Sequence, residues 1–168
     1  MGRDIPLATT EQTTPPITLE RFLPYRLAVL SNVVSNAVAR IYGERFDLTI
    51  PQWRVIATLG QYGVLTARDI AAHAVLHKST VSRAVAPLCK RGLVAREANP
   101  EDMREALLVL TAAGQAIYAA IAPEALAFSQ RLESVLSEAE RATLFALIER
   151  LDAHARAAGG DQLGEDRP

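Results

Sequence analysis

A short stretch of the chain combines hydroxyl and cationic side chains at the start of a helical pattern. These side chains are Lys78, Ser79, Thr80, Ser82 and Arg83. A hydroxyl donates and accepts hydrogen bonds, and an arginine can bind the edge of guanine through two parallel bonds. Val81, Val85 and Leu88 recur at four- and three-residue spacing, which predicts an inward-facing apolar side. An ordinary solvated helix start has a similar composition, so the flanking elements must decide whether this face reads bases.

Positive charge is concentrated around this stretch, although the net charge of the whole chain is −1. The segment from His77 to Arg96 holds five basic residues and no acidic one. From Arg54 to Arg104 there are eight basic against four acidic residues, a balance of +4, and from Glu124 to the end there are five against nine, a balance of −4. A compact basic region of this kind is typical of a surface that meets a polyanion.

Helix signals precede the polar stretch, and strand signals follow it. Thr49-x-x-Gln52 and Thr66-x-x-Asp69 have the form of capping boxes and predict two helix starts. Lys78 to Arg91 is the third helix of the series, and Gly92 ends it. Residues 93–97 and 105–110 then predict two strands. The order helix, helix, turn, helix, strand, turn, strand predicts a winged helix-turn-helix within a mainly α fold that carries a small β-wing.

The turn between the two strands holds Asp102 and Arg104. An arginine at a hairpin tip can enter a minor groove, where a narrow channel strengthens its attraction to DNA. Asp102, two residues earlier, can hold that arginine through an ion pair. A solvated turn with no DNA contact explains the same residues, because exposed ion pairs contribute only about 0–1 kcal/mol.

Long helical patterns flank the predicted winged unit. Apolar residues recur at three- and four-residue steps over about 18–46, with Pro24 in the first turn, and again over about 111–157. The last helix is predicted to bury Leu144, Leu147, Ile148 and Leu151, either within one chain or against a second copy. We therefore expect disordered tails at 1–17 and 158–168 around a single domain at 18–157, with the winged unit at about 49–110 and dimerisation helices on both sides.

Several function classes are disfavoured. The chain lacks the nucleophile elbow, phosphate-binding glycine loop and HExxH motifs of common enzymes, so we expect a non-enzyme without a cofactor. His73 and His77 have i, i+4 spacing, but the turn predicted at Leu76–His77 breaks the helix that a metal site would need. No signal peptide or membrane-length apolar run is present, which predicts a cytoplasmic protein.

Cys89 is the only cysteine of the chain. It excludes an intrachain disulfide, and Lys90 and Arg91 beside it are the kind of neighbours that lower the pKa of a reactive thiol. A redox-sensing regulator that acts through Cys89 is therefore one alternative. A winged-helix protein–protein adaptor that binds no DNA is another.

Four segments in this order resemble the MarR family of bacterial transcriptional regulators. They are Ile50-Pro-Gln-Trp-Arg-Val-Ile-Ala-Thr-Leu, Lys78-Ser-Thr-Val-Ser-Arg, Lys90-Arg-Gly-Leu-Val, and Asp102-Met-Arg followed by Leu110-Thr-Ala-Ala-Gly. The resemblance covers residues 20–155 and implies a homodimeric repressor that binds a pseudo-palindromic operator and is released by a small ligand. It implies base reading by Ser79, Thr80, Ser82 and Arg83 and a wing motif at Asp102 and Arg104. Pro87, inside the reading helix, departs from the family pattern and predicts a bend.

The resemblance also implies an effector pocket between the first helix, the long fifth helix and the DNA-binding lobe. The polar and aromatic candidates for this pocket are Tyr25, Arg26, Asn32, Trp53 and His73. An aromatic carboxylate or its coenzyme A thioester is the implied class of effector. Core packing of Trp53 and a surface position of His73 are the structural alternatives.

Overall fold

A computed structural model describes residues 16–159 of the chain. The elements are a 3-10 turn at Leu19–Arg21, α1 (Leu23–Phe46), α2 (Ile50–Tyr62), β1 (Leu65–Thr66), α3 (Ala67–Ala74), α4 (Lys78–Lys90), β2 (Val94–Ala98), β3 (Ala106–Leu110), α5 (Ala112–Glu133) and α6 (Glu138–Gly159). The mainly helical fold with a small wing is therefore confirmed. Residues 1–15 and 160–168, which hold most of the two predicted tails, lie outside the described residues. The predicted C-terminal tail starts too early, because α6 continues to Gly159.

The chain divides into two compact units, one ending at Ala37 and the other beginning at Val38. In the first unit, the 3-10 turn precedes α1, and Pro24 lies in the first turn of that helix as predicted. Proline fits there because the first turn needs no amide donor. Apolar side chains of this part of α1, including Leu23, Leu27 and Leu30, are exposed.

The second unit has one hydrophobic core beneath α4. Its fully buried large side chains are Tyr42, Val55, Ile56, Leu59, Ile70, Val81, Val85, Leu88, Leu108 and Ile121. The inward face predicted for α4 is confirmed, since Val81, Val85 and Leu88 are each no more than 1% exposed. Truncation of a buried leucine to alanine lowers the stability of a fold by about 2–5 kcal/mol. This core therefore holds α4 firmly, with its polar face directed away from the core.

Within the described residues, the sheet has three antiparallel strands in the order β1-β3-β2. Val94 pairs with Leu110 and Ala98 with Ala106, which matches the two predicted strands to within about a residue. The third strand, β1, was not predicted. It contains only Leu65 and Thr66, which is too short to show the alternating pattern of a strand.

Local signals account for the helix starts. The side chain and backbone of Thr49 and Gln52 bond reciprocally, as do those of Thr66 and Asp69. Ser137 and Glu140 make the same exchange before α6, with Glu140 Oε2 accepting from the Ser137 amide at 2.8 Å. The predicted capping boxes are confirmed.

The outer helices are less buried than the sequence predicts. Every described side chain of α6 is exposed, so Leu144, Leu147, Ile148 and Leu151 are not buried within a single chain, and their burial against a second copy stays a prediction. Periodicity shows which helix face is apolar, but it does not show whether the same chain covers that face. None of the described helices is long and apolar enough to cross a membrane.

Candidate nucleic-acid interface

The first turns of α4 present a polar surface. Lys78, Ser79, Ser82 and Arg83 are exposed, and Thr80 is half-buried. His77 is the N-cap of this helix, and its Nδ1 accepts from the Ser79 amide at 3.3 Å and lies 2.8 Å from the Ser79 hydroxyl. His77 therefore orders the turn on which the candidate base-reading residues begin.

Arg83 lies along its own helix. Its Nε donates to the carbonyl oxygen of Ser79, one turn earlier, at 3.2 Å. This bond directs the guanidinium toward the amino-terminal end of α4, as expected for a helical side chain. The side chain remains exposed, and the guanidinium carries two further nitrogens that suit two parallel bonds to one acceptor edge.

Pro87 does not interrupt α4, which runs continuously from Lys78 to Lys90. Proline removes the amide that would have bonded the Arg83 carbonyl. The next residue, Leu88, is fully buried, and the Pro87 carbonyl still accepts from the Arg91 amide at 2.9 Å. The carboxyl-terminal half of the helix is therefore held by packing and by the following turn.

The wing holds Arg104 through a two-point contact. Its Nε and Nη2 donate to the two carboxylate oxygens of Asp102, both at 2.9 Å, and its amide donates to Asp102 Oδ1 at 3.0 Å. These bonds hold the pKa of Asp102 below its ordinary value and raise the pKa of Arg104. The Arg104 side chain is 89% exposed, so the pair orients a cation that faces solvent.

Helix α4 and the wing border one cleft. Its volume is about 210 Å³, and Ser82 of α4, Arg96 of β2 and Arg104 of the wing are among its lining residues. Nearby, Arg68 of α3 donates to the carboxylate of Glu105, the residue just before β3, at 2.6 Å. The structure therefore brings part of the predicted groove-reading set and the wing arginine to one surface. Arg68 and Arg96 were missing from the predicted set, because single arginines in a helix and a strand carry no motif.

The effector candidates are divided between the two units. Tyr25, Arg26 and Asn32 are exposed positions on α1 in the first unit. Trp53 is half-buried on α2, and His73 is exposed on α3.

In the second unit, Trp53 and His73 have different ring contacts. The Trp53 ring contacts two tyrosine rings: Tyr42, with centroids 5.4 Å apart, and Tyr118, at 6.3 Å. His73 instead stacks on Tyr62 at 4.2 Å. Burial raises the pKa of the Tyr42 hydroxyl. The sequence analysis missed the aromatic neighbours of Trp53. The available signal was Gly60 within α2, which leaves room for a closely packed ring: a Cβ at this position would lie 2.6 Å from the Tyr118 ring.

The remaining reactive side chains are dispersed. His73 lies on α3 and His77 precedes α4, so the two do not share a helix. Residues 16–159 contain no group of three or more His, Cys, Asp or Glu side chains placed to hold a metal ion. Cys89 is half-buried and packs against the core.

Comparison with known proteins gives a consistent result. The MarR family profile matches residues 48–106. An uncharacterised HTH-type transcriptional regulator of Bacillus cereus is 30% identical over 122 residues, which are 72% of this chain and 81% of the relative. The HTH-type transcriptional repressor IacR of Pseudomonas putida is 30% identical over 95 residues, 56% of each chain.

Solved structures extend the similarity beyond the central segment. A MarR family regulator from Silicibacter pomeroyi superposes with a TM-score of 0.72 and 27% identity, covering 83% of this chain and 94% of that one. NadR, solved in complex with 4-hydroxyphenylacetate, gives a TM-score of 0.69 and 26% identity, covering 82% of this chain and 97% of NadR. These relatives are named as transcriptional regulators, not as enzymes, in agreement with the sequence-based prediction.

Proposed function

We propose that this chain, which belongs to the MarR family of transcriptional regulators, represses transcription by binding a pseudo-palindromic DNA operator as a homodimer. The observation that carries this proposal is the shared cleft between α4 and the wing, which joins Ser82 to Arg104 on one basic surface. In this role the protein acts in the cytoplasm, where a bacterial chromosome lies.

The proposed reading divides the surface between the two grooves. The start of α4 enters the major groove, where Lys78 approaches phosphate and the hydroxyls of Ser79, Thr80 and Ser82 bond to base edges or phosphates. Arg83 suits the O6 and N7 acceptors of guanine. Arg104, oriented by Asp102, enters the adjacent minor groove.

Dimerisation is supported by the exposure of α6. A 22-residue helix whose described side chains are all exposed gains little from its own chain, yet it carries an apolar stripe of Leu144, Leu147, Ile148 and Leu151. A second copy offers the same stripe, so a two-fold pairing buries both. It also provides two reading helices, which in a symmetric dimer contact half-sites about 34–36 Å apart.

For the effector we propose an aromatic carboxylate or its coenzyme A thioester. NadR was solved with an aromatic carboxylate, and IacR is a repressor. Each predicted residue has a chemistry that suits this class of ligand: Arg26 and His73 can pair with a carboxylate, Tyr25 and Asn32 can form hydrogen bonds, and Trp53 can contact an aromatic ring. Binding releases the operator by favouring a dimer in which the two reading helices are spaced poorly for DNA.

The test begins with duplexes that the wild-type protein selects from a random-sequence library. Fluorescence anisotropy over a salt series should give tight, salt-dependent binding, and sedimentation should show one dimer per selected duplex. Aromatic carboxylates and their thioesters are then screened for release of the duplex. A dimer that selects no duplex and shows no salt-dependent affinity would refute the DNA-binding role and favour the protein–protein adaptor.

Peroxide treatment of the wild-type protein and of Cys89→Ser separates the redox alternative. Release of DNA by peroxide in the wild type alone would assign regulation to Cys89 in place of a small-molecule effector.

A further inference from the structure

We propose that the turn formed by Arg91, Gly92 and Leu93 is a junction that fixes the recognition helix α4 to the ends of both α1 and α5, with Arg91 as its positioning residue. This inference rests on the proposed function and adds the route by which the outer helices set the position of α4.

The first link of the junction runs to α1. The two terminal nitrogens of the Arg91 guanidinium donate to the carbonyl oxygens of Phe46, at 2.6 Å, and Asp47, at 2.8 Å. Phe46 is the last residue of α1, and Asp47 follows it with a positive φ of 49°. The final carbonyls of a helix have no partner within that helix and carry partial negative charge. Arg91 therefore acts as a charged cap for α1, supplied from 44 and 45 positions along the chain.

The second link runs to α4 itself, through the backbone. The Arg91 amide donates to Pro87, the Gly92 amide to Cys89 and the Leu93 amide to Leu88, each at 2.9 Å. Gly92 has a positive φ of 67°, which ends the helix. The guanidinium that caps α1 thus extends from a backbone that is bonded to the last turns of α4.

The third link runs to α5. The Thr111 hydroxyl donates to the Gly92 carbonyl at 2.6 Å, and the Thr111 amide donates to the Leu93 carbonyl at 3.1 Å. Thr111 is also the N-cap of α5, because its Oγ1 accepts from the Gly114 amide. A Cβ at Gly114 would overlap the Leu93 carbonyl oxygen, so α5 approaches the junction as closely as a backbone can.

Three consecutive residues therefore hold the end of α1, the end of α4 and the start of α5. A displacement of either outer helix at these ends must move the junction or break charge-assisted and backbone hydrogen bonds. Arg91 is exposed, so its bonds to two carbonyls are its distinguishing feature. The competing role for an exposed arginine in a basic region is a direct phosphate contact.

A half-site-spacing series separates these roles. The probes are the duplex selected by the wild-type protein and two derivatives with one base pair inserted or deleted between the half-sites. The wild type should lose about tenfold or more in affinity for the altered duplexes, because the half-sites rotate out of register. Arg91→Ala should reduce this penalty to about threefold, and Arg91→Lys should restore part of it.

Lys90→Ala serves as the charge-matched comparison, since it removes one neighbouring exposed cation. It should retain the spacing penalty of the wild type. An Arg91→Ala protein that keeps the full spacing penalty would overturn the proposal. This holds if its affinity is unchanged or is lower on every duplex because less protein is folded. It also holds if its binding depends less on salt because a phosphate contact is lost.

A second measurement needs no DNA. Amide hydrogen exchange should accelerate at Thr111 and Leu93 in Arg91→Ala and not in Lys90→Ala, because the α1 cap supports both amides through the junction. Unchanged exchange at Thr111 would overturn the link to α5 even where the spacing result holds. If the wild-type protein selects no duplex, the proposed function fails, and the exchange experiment still decides whether the junction couples the helices.

Discussion

Replacement of Arg104 by alanine tests the proposed minor-groove contact most directly. The guanidinium is almost fully exposed and is already oriented by two bonds to Asp102, so its removal should disturb the fold little. Its loss should appear in DNA binding as a smaller dependence on salt, because each neutralised phosphate releases condensed counterions.

The expected size follows from the stoichiometry of the dimer. Each phosphate neutralised on duplex DNA contributes about 0.9 to the slope of log affinity against log salt. Two wings in a dimer contribute two such contacts, so Arg104→Ala should reduce the slope by about 1.8. The ratio of wild-type affinity to variant affinity should therefore be about 12 times larger at about 50 mM salt than at about 200 mM salt.

The assay is anisotropy of the selected duplex at several salt concentrations, with Arg156→Ala as the matched control. Arg156 also bonds to a nearby aspartate, Asp152, at 2.8 Å, but it lies on α6 in the acidic part of the chain. The control should retain the wild-type slope. Equal slopes for Arg104→Ala and the wild type would place the wing outside the DNA interface and refute the reasoning.

Three further outcomes follow from the structure. Arg83→Ala should weaken binding to the selected duplex by about 1–3 kcal/mol and relax base preference at one position in each half-site, as measured by anisotropy on single-base variants. Thr66 donates to Asp69 through its hydroxyl at 2.7 Å and its amide at 3.0 Å, and these bonds lower the pKa of Asp69. As the pH falls, the Asp69 carboxylate is therefore protonated in the unfolded chain before it is protonated in the folded one. The stability that the ionised carboxylate provides is present above the ordinary aspartate pKa of about 3.9 and is lost as the pH falls further. Denaturant titrations from about pH 5 to about pH 2.5 should show a shallower loss in Asp69→Asn than in the wild type. Gly114→Ala should destabilise the fold by about 1–3 kcal/mol, because its Cβ meets the Leu93 carbonyl oxygen. In thermal unfolding, the Tm should fall by roughly 2–4 °C for each kcal/mol.

The features that the sequence predicted well are those with local causes. A capping box needs only four residues, so Thr49 with Gln52 and Thr66 with Asp69 identified two helix starts that the structure contains. The inward side of α4 was also predictable, because apolar spacing reports the buried face of a helix that one chain covers. The Asp102–Arg104 pair is local too, being separated by two positions.

Features that depend on distant contacts were not predictable in the same way. Arg91 looked like one more cation in a basic segment, since nothing in its neighbours indicates the carbonyls of Phe46 and Asp47. The sequence left open whether the same chain or a second copy covers the apolar stripe of α6, because an amphipathic pattern is the same in both cases. The ring contacts of Trp53 with Tyr42 and Tyr118 join three helices, so no single window of sequence contains them.

The cations of the candidate interface differ in how the free chain holds them, and this difference has a consequence for recognition. Arg83 is held by the Ser79 carbonyl and Arg104 by Asp102. A side chain that is already ordered loses less entropy when it binds, so such arginines favour one geometry of DNA over others. Lys78 instead presents a flexible point charge at the start of α4, which suits phosphates of any sequence. Recognition of bases should therefore depend on Arg83, recognition of groove shape on Arg104 and non-specific affinity on Lys78. Lys78→Ala should lower the affinity for selected and for random duplexes by the same factor.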